Sequence, residues 1–169
     1  MLKLPHLILA AVLGIAAAFI LTTTGALPDP VASKFGANDL VTSWMAKRVY
    51  LPLMLGLAVG MPLLMVGLTA LLARRFPQHF NIPHREYWLT SERRAATGNY
   101  LETHVCWLAC LMAGLIAGMH YAIVLAHDST PPRLPAEVFW TLMGVFAFGM
   151  VWWMWALYAR FRKPGLTAA

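Results

Sequence analysis

The sequence predicts an all-α polytopic membrane protein, four transmembrane helices in an up-down bundle with both termini cytoplasmic, and three observations carry that prediction. The chain is 60% apolar and only 12% charged, with a mean hydropathy of +0.63, whereas a soluble domain carries about a quarter charged residues. Four runs, at about 7–23, 51–73, 104–126 and 136–159, meet the need for roughly 20 mostly apolar residues in a helix that crosses the hydrocarbon layer. Inside lipid each backbone polar group must find its partner within its own segment, so these runs form helices rather than open strands. The third observation is charge. Lys3, Arg74, Arg75, Arg85, Arg93, Arg94, Arg160, Arg162 and Lys163 fall on one side of a four-span arrangement against Glu86, Glu92 and Glu102, a net of +6. Lys34, Lys47, Arg48 and Arg133 fall on the other against Asp29, Asp39, Asp128 and Glu137, a net of zero. Basic excess marks the cytoplasmic side. The chain is therefore read as one domain, 1–169, with an outer loop at 25–48 and a cytoplasmic loop at 74–103.

The same partition excludes a nucleic-acid partner, which needs a basic face on a soluble module. The first span has a rival reading, since Lys3, an apolar run and the small residues Thr24, Gly25 and Ala26 also fit a secretory signal peptide. Retention is preferred, because cleavage leaves the next loop without its anchor.

Taken in order, span one carries Ala10, Gly14 and Ala18 at four-residue spacing, a ridge on which another helix can lie closely. In the loop that follows, Pro28 and Pro30 stop the helix. Val31, Phe35, Val41, Trp44 and Met45 then offer apolar contacts among Lys34, Asn38, Asp39, Thr42 and Ser43. This pattern fits either a cap on the membrane surface with Trp44 at headgroup level, or a solvated connector. In span two, Pro62 removes a backbone hydrogen bond and predicts a kink about Ala58, just after a Gly56–Gly60 step that permits close backbone approach.

The central stretch breaks at Pro77 and Pro83. Tyr87, Trp88 and Leu89 form an interfacial cluster, and Thr90 or Ser91 is expected to cap a helix with Glu92 in its first turn. That helix is expected to run through Arg93, Arg94 and Tyr100 into span three. Arg85, Arg93 and Arg94 also suit simple anchoring to anionic lipid.

Span three carries the most distinctive pattern. Glu102 and His120 are eighteen residues apart, so they project in one direction about 27 Å apart along the axis. Cys106, Ala109, Ala113, Ala117 and His127 fall near that line, a stripe of small and polar residues that should face other helices. His120 is the ionisable residue deepest in any span and a functional candidate on that ground. A neutral imidazole bonded to a neighbouring hydroxyl or carbonyl is the competing reading. Cys106 and Cys110, four apart on one helix, are too poorly placed for a disulfide and read as packing residues. Asp128 to Pro135 forms a proline-fixed turn, and Trp140, Trp152, Trp153 and Trp155 in span four read as interfacial anchors.

No metal or cofactor is expected. A zinc site needs three or four clustered ligands, and haem ligation needs histidines on facing helices. The sequence also lacks the GxSxG, HExxH, CxxC and phosphate-loop patterns.

Two stretches resemble a known family. Leu27 to Lys47, LPDPVASKFGANDLVTSWMAK, resembles the outer-loop signature of the bacterial membrane domain of unknown function 1648, and Asn81 to Arg94, NIPHREYWLTSERR, resembles its cytoplasmic signature. That domain stands at the front of immunity proteins that protect spore-forming bacteria against a secreted killing factor by binding it at the membrane. The resemblance implies a small non-enzymatic protein of the bacterial inner membrane. The family often has His where this chain has Lys34, and Gly where it has Asp39, so a ligand role for that histidine is not implied here.

Two functions follow as expectations. One is a receptor, immunity-like or accessory protein that binds a protein partner or joins a larger membrane complex, with small-residue ridges that also permit a homo-oligomer. Its candidate residues are Asp29, Lys34, Phe35, Asp39, Trp44 and Lys47 outside, and His84, Arg85, Glu86, Tyr87, Trp88, Arg93 and Arg94 inside. The intramembrane stripe Glu102, Cys106, His120 and His127 adds a third group. The alternative is a small-molecule or proton-coupled transporter or an oligomeric channel, of which transporters usually place acidic groups or broken helices near the bilayer midplane, with a membrane-bound redox or haem protein ranked below it.

Overall fold

The four apolar runs fold as helices that continue past the runs themselves into polar sequence. In the computed structural model, which describes residues 4–162, the order is α1 (Leu4–Ala26), β1 (Val31–Phe35), β2 (Val41–Met45), α2 (Lys47–Leu55), a π-helical turn (Gly56–Gly60), α3 (Met61–Arg75), α4 (Arg85–Trp88), α5 (Arg94–Ala126) and α6 (Ala136–Arg160). Lys3 and Lys163, counted above on the basic side, lie outside the described residues. Four helices are long and apolar enough to cross a membrane: α1, the continuous Lys47–Arg75 segment, α5 and α6. The 33 residues of α5 span about 50 Å, well beyond a hydrocarbon layer of about 30 Å. Its first turns therefore carry polar sequence clear of the apolar stretch.

Helix α5 is the centre of the packing. His6 meets Glu102 and Thr23 meets His120, so α1 runs alongside α5 in the same sense. Arg74 meets Glu102 and Tyr50 meets His120, so the Lys47–Arg75 segment runs against it. Trp153 meets His104, and a Cβ on Gly118 would collide with Leu142, so α6 also runs against α5. The core comprises Leu9, Leu13, Cys106, Ala109 and Ala113 at one level and Ile20, Val31, Tyr50, Met54, Ala58 and Ile123 at another. No residue of α6 is buried. It packs mainly along α5, meets Trp88 of α4 through Arg160 in its last turn, and leaves Val145, Phe148 and Val151 on the outer surface.

About Ala58, where the sequence reading expected a kink, the backbone takes a π-helical turn, itself a common site of helix bending. The Met61 N–H reaches back five residues to Gly56 O, a π turn that accommodates Pro62 one residue later. Gly56 and Gly60 themselves face open space, as does Gly14 of the α1 ridge. Helix contact within the chain falls elsewhere, at Gly98 against Ala73 and Gly149 against Leu111. The buried face of α1 is Leu9, Leu13, Ala16, Ile20 and Thr24, one step around from the ridge.

Two further expectations are corrected. The all-α prediction missed a hairpin: β1 and β2 pair antiparallel, Val31 opposite Met45 and Phe35 opposite Val41, with a bulge between Ala32 and Phe35. The apolar residues at 31, 35, 41 and 45 mark the half-buried face of a strand pair, a period of two that a loop reading overlooks. The expected cap at Thr90 or Ser91 is also absent. Helix α5 starts at Arg94 with no side-chain cap, Thr90 Oγ1 bonds back to Tyr87 O, and Glu92 lies in the turn before the helix.

Candidate functional site

The structure gathers the polar side chains into two groups, one at the end of the helices that carries the hairpin and one at the opposite, basic end.

The hairpin end is built on His120. Its imidazole is wholly buried between Tyr50 of α2 and Thr23 of α1, with Tyr50 Oη 2.7 Å from Nδ1 and Thr23 Oγ1 2.7 Å from Nε2. Thr23 donates its own hydroxyl to Phe19 O at 2.6 Å, which leaves its oxygen to accept from Nε2–H. Nδ1 then accepts from the Tyr50 hydroxyl, so this assignment gives every donor a partner. Phe19 sits edge-on to the ring at 5.5 Å. The arrangement joins three helices at one point. An imidazole bonded at both nitrogens in an apolar shell is a positioning element, since removing any member strands a buried polar group.

The hairpin rests on this end of the bundle through directed bonds. Asp29 Oδ1 accepts the first N–H of α2, at Lys47, over 2.9 Å, and Lys47 Nζ donates to Gly25 O at the end of α1 over 3.2 Å. Each thereby ties down an orphan backbone group at a helix terminus. His127 does the same between α5 and β1: Nδ1 donates to Ile123 O at 2.8 Å, and Nε2 accepts the Ala32 N–H at 3.2 Å. The Asp128–Pro135 turn closes the other edge. Val41 N–H donates to Pro132 O, Leu134 N–H donates to Asp39 O, and Leu40 bridges Arg133. Asp39 turns the hairpin with a φ of +62°, a left-handed conformation that aspartate tolerates better than most residues.

Of the outer candidates, Asp29 and Lys47 are thus engaged in capping, Phe35 packs against the core, and Asp39 holds the turn by its carbonyl. Lys34 and Trp44 remain open. Trp44 is 47% exposed, with its ring braced on His127 at 6.4 Å.

At the basic end the candidates pair ring on ring. Trp88 stands edge-on to Phe161 at 5.5 Å under the Arg160 guanidinium at 4.5 Å, and Arg93 lies 4.0 Å over Tyr87. Thr97 Oγ1 donates to Trp88 O at 2.9 Å. His84 begins α4 with a φ of +53°, and Arg85, Glu86 and Arg94 are exposed. Glu102 accepts from His6 Nε2 at 3.3 Å and faces Arg74 at 3.9 Å.

The predicted stripe on α5 does face other helices along most of its length: Cys106, Ala109, Ala113 and His120 are buried, and Glu102, Ala117 and His127 partly so. It is not one site, because Glu102 belongs to the basic end and His120 and His127 to the hairpin end. Cys106 and Cys110 form no disulfide, and Cys106 Sγ bonds Glu102 O. Among the described residues no group of three His, Cys, Asp or Glu side chains converges as a metal site would require.

Sequence reasoning missed Thr23, Tyr50, His6 and His104. His104 stacks on Trp153 at 4.7 Å and on Tyr100 at 5.3 Å. It exchanges two hydrogen bonds with Trp153, Nε2–H to Trp153 O at 3.1 Å and Trp153 Nε1–H to His104 O at 3.0 Å. Tyr100 four residues ahead of His104 was a readable signal. Tyr50 and Thr23 offered none, since their role depends on which turn of a neighbouring helix carries His120.

Comparison with protein-family models finds no match, and neither a curated protein nor a solved structure matches the chain.

Proposed function

We propose that this chain is a non-enzymatic protein of the bacterial inner membrane that crosses the bilayer four times, with its termini and basic end in the cytoplasm, and that it serves as a receptor, immunity-like or accessory protein. Four apolar helices support the crossing number, and the basic excess at the Arg74, Arg93, Arg94 and Arg160 end supports the orientation. The resemblance of Leu27–Lys47 to the outer-loop signature of the membrane domain described above supports the class.

The observation that carries recognition is the build of the hairpin. Its backbone is tied to α5 and to the Asp128–Pro135 turn, and the segments flanking it are tied to α1 and α2 through Asp29 and Lys47, while Trp44 and Lys34 stay open. A rigidly mounted, exposed aromatic is the form of an interaction anchor, because little conformational entropy remains to be lost on binding.

A proton-coupled carrier is the second reading, favoured by the π turn at Gly56–Gly60, which loosens one span. It is the weaker one, because both ring nitrogens of His120 are already bonded.

A photoreactive residue in place of Trp44, compared with one in place of the lipid-facing Phe148, tests the proposal in native membranes. The expected result is a discrete protein adduct at 44 and lipid adducts at 148. Lipid adducts alone at both positions contradict a recognition role for the hairpin.

A further inference from the structure

At the basic end, a cavity of about 330 Å³ lies between the last turn of α3 and the first turns of α5. That volume is at the small end of ligand sites, which run from about 300 to 1,000 Å³. Arg74 lines one wall, Ser91, Arg94 and Asn99 the other, and Glu102 lies deepest along α5. The cavity sits beside a close contact of the two helices, where a Cβ on Gly98 would stand 3.2 Å from that of Ala73.

Charge within it is unbalanced. Glu102 is the only carboxylate in the lining, and it is already engaged by His6 and, at 3.9 Å, by Arg74. Arg94 makes no ion pair among the described residues, and the side chains of Ser91 and Asn99 make no hydrogen bond among them. Two guanidinium groups against one carboxylate leave one positive charge uncompensated. Two of the first backbone amides of α5 are already engaged, Arg94 N–H on Thr90 O and Thr97 N–H on Arg93 O. The side chains of the lining supply two planar guanidinium forks, a hydroxyl and a carboxamide. That donor set, with one net positive charge, matches a singly charged phosphodiester.

The height of the cavity agrees. Arg74 and Arg75 close the Lys47–Arg75 span, so in a bilayer the cavity lies where lipid phosphates lie. We propose that it binds the phosphate ester of an anionic phospholipid, held between Arg74 and Arg94.

The test is native mass spectrometry of the full-length protein in detergent, titrated with phosphatidylglycerol, phosphatidylcholine and soluble glycerol phosphate. The expected result is one phosphatidylglycerol bound in preference to phosphatidylcholine. Arg74→Gln and Arg94→Gln should each weaken it about tenfold or more, Arg94→Lys should restore part of the loss, and Arg85→Gln should have no effect. Arg85 lies at the same end, exposed but outside the cavity. Because Arg74 also supports Glu102, Ser91→Leu serves as an uncharged second probe that crowds the cavity from an exposed turn. It should weaken binding without shifting Tm. Glycerol phosphate binding as tightly, with the same arginine dependence, confirms the phosphate site and assigns its ligand to the aqueous phase. Equal loss in Arg85→Gln, or no preference between the two lipids, overturns the proposal and leaves ordinary interfacial anchoring.

Discussion

At the hairpin end, backbone amides and buried polar side chains tie the connecting segments to the helices, whereas at the basic end rings and guanidinium groups predominate beside a buried hydroxyl, Thr97 on Trp88 O. The hairpin end uses Asp29 on Lys47 N–H, Lys47 on Gly25 O, His127 on Ala32 N–H, and the Tyr50–His120–Thr23 chain beneath them. The basic end uses Trp88 on Phe161, Arg160 on Trp88 and Arg93 on Tyr87. Hydrogen bonds fix direction and weaken steeply when bent. Ring pairs contribute about 0.5–1.5 kcal/mol and exposed cation–π contacts about 0.5–1 kcal/mol each, and both tolerate sliding. One end is thereby built to hold a shape and the other to hold charge near a surface.

The largest expected effect falls on the buried imidazole. His120→Ala removes two hydrogen bonds and opens a cavity among three helices, and should lower stability by roughly 3–5 kcal/mol. Tyr50→Phe, which removes a single hydroxyl, should lower it by about 1–2 kcal/mol. Thermal unfolding of the purified protein measures both. A loss below about 1 kcal/mol for His120→Ala would erase the contrast between the two ends.

Asp29→Ala sharpens the same comparison. Losing the helix cap should lower stability by about 1 kcal/mol and speed hydrogen exchange across β2, while Asp29→Asn, which keeps an acceptor, should retain most of the protection. The smallest effect is expected at the basic end. Arg160→Gln should lower stability by no more than about 1 kcal/mol and leave exchange in the hairpin unchanged.

What the sequence made legible follows the reach of each force. Spans were readable because burial in lipid acts on every residue of a run, and the α5 stripe because helical period is local. The hairpin was misread because two prolines and a polar composition outweighed an alternation only five residues long on each strand. Asp29 and Lys47 looked like ligand contacts for the same reason that they are caps: a charged group near a helix end suits either role until the partner atom is known. The His120 partners, 97 and 70 residues distant in sequence, were fixed only by helix register. The α1 ridge and the Gly56–Gly60 step matched a packing pattern, yet neither meets another helix in this chain, because neighbouring turns carry the larger buried side chains.

The arrangement of loops across the bilayer supports every role assigned here, and paired cysteine labelling tests it most directly. Ser43 on the hairpin and Ser91 before α5 are both exposed. In a Cys106→Ala, Cys110→Ala background, a membrane-impermeant maleimide added to intact spheroplasts should modify Ser43→Cys and leave Ser91→Cys unmodified until the membrane is broken. Modification of both from one side, or of Ser91→Cys alone, would contradict the account.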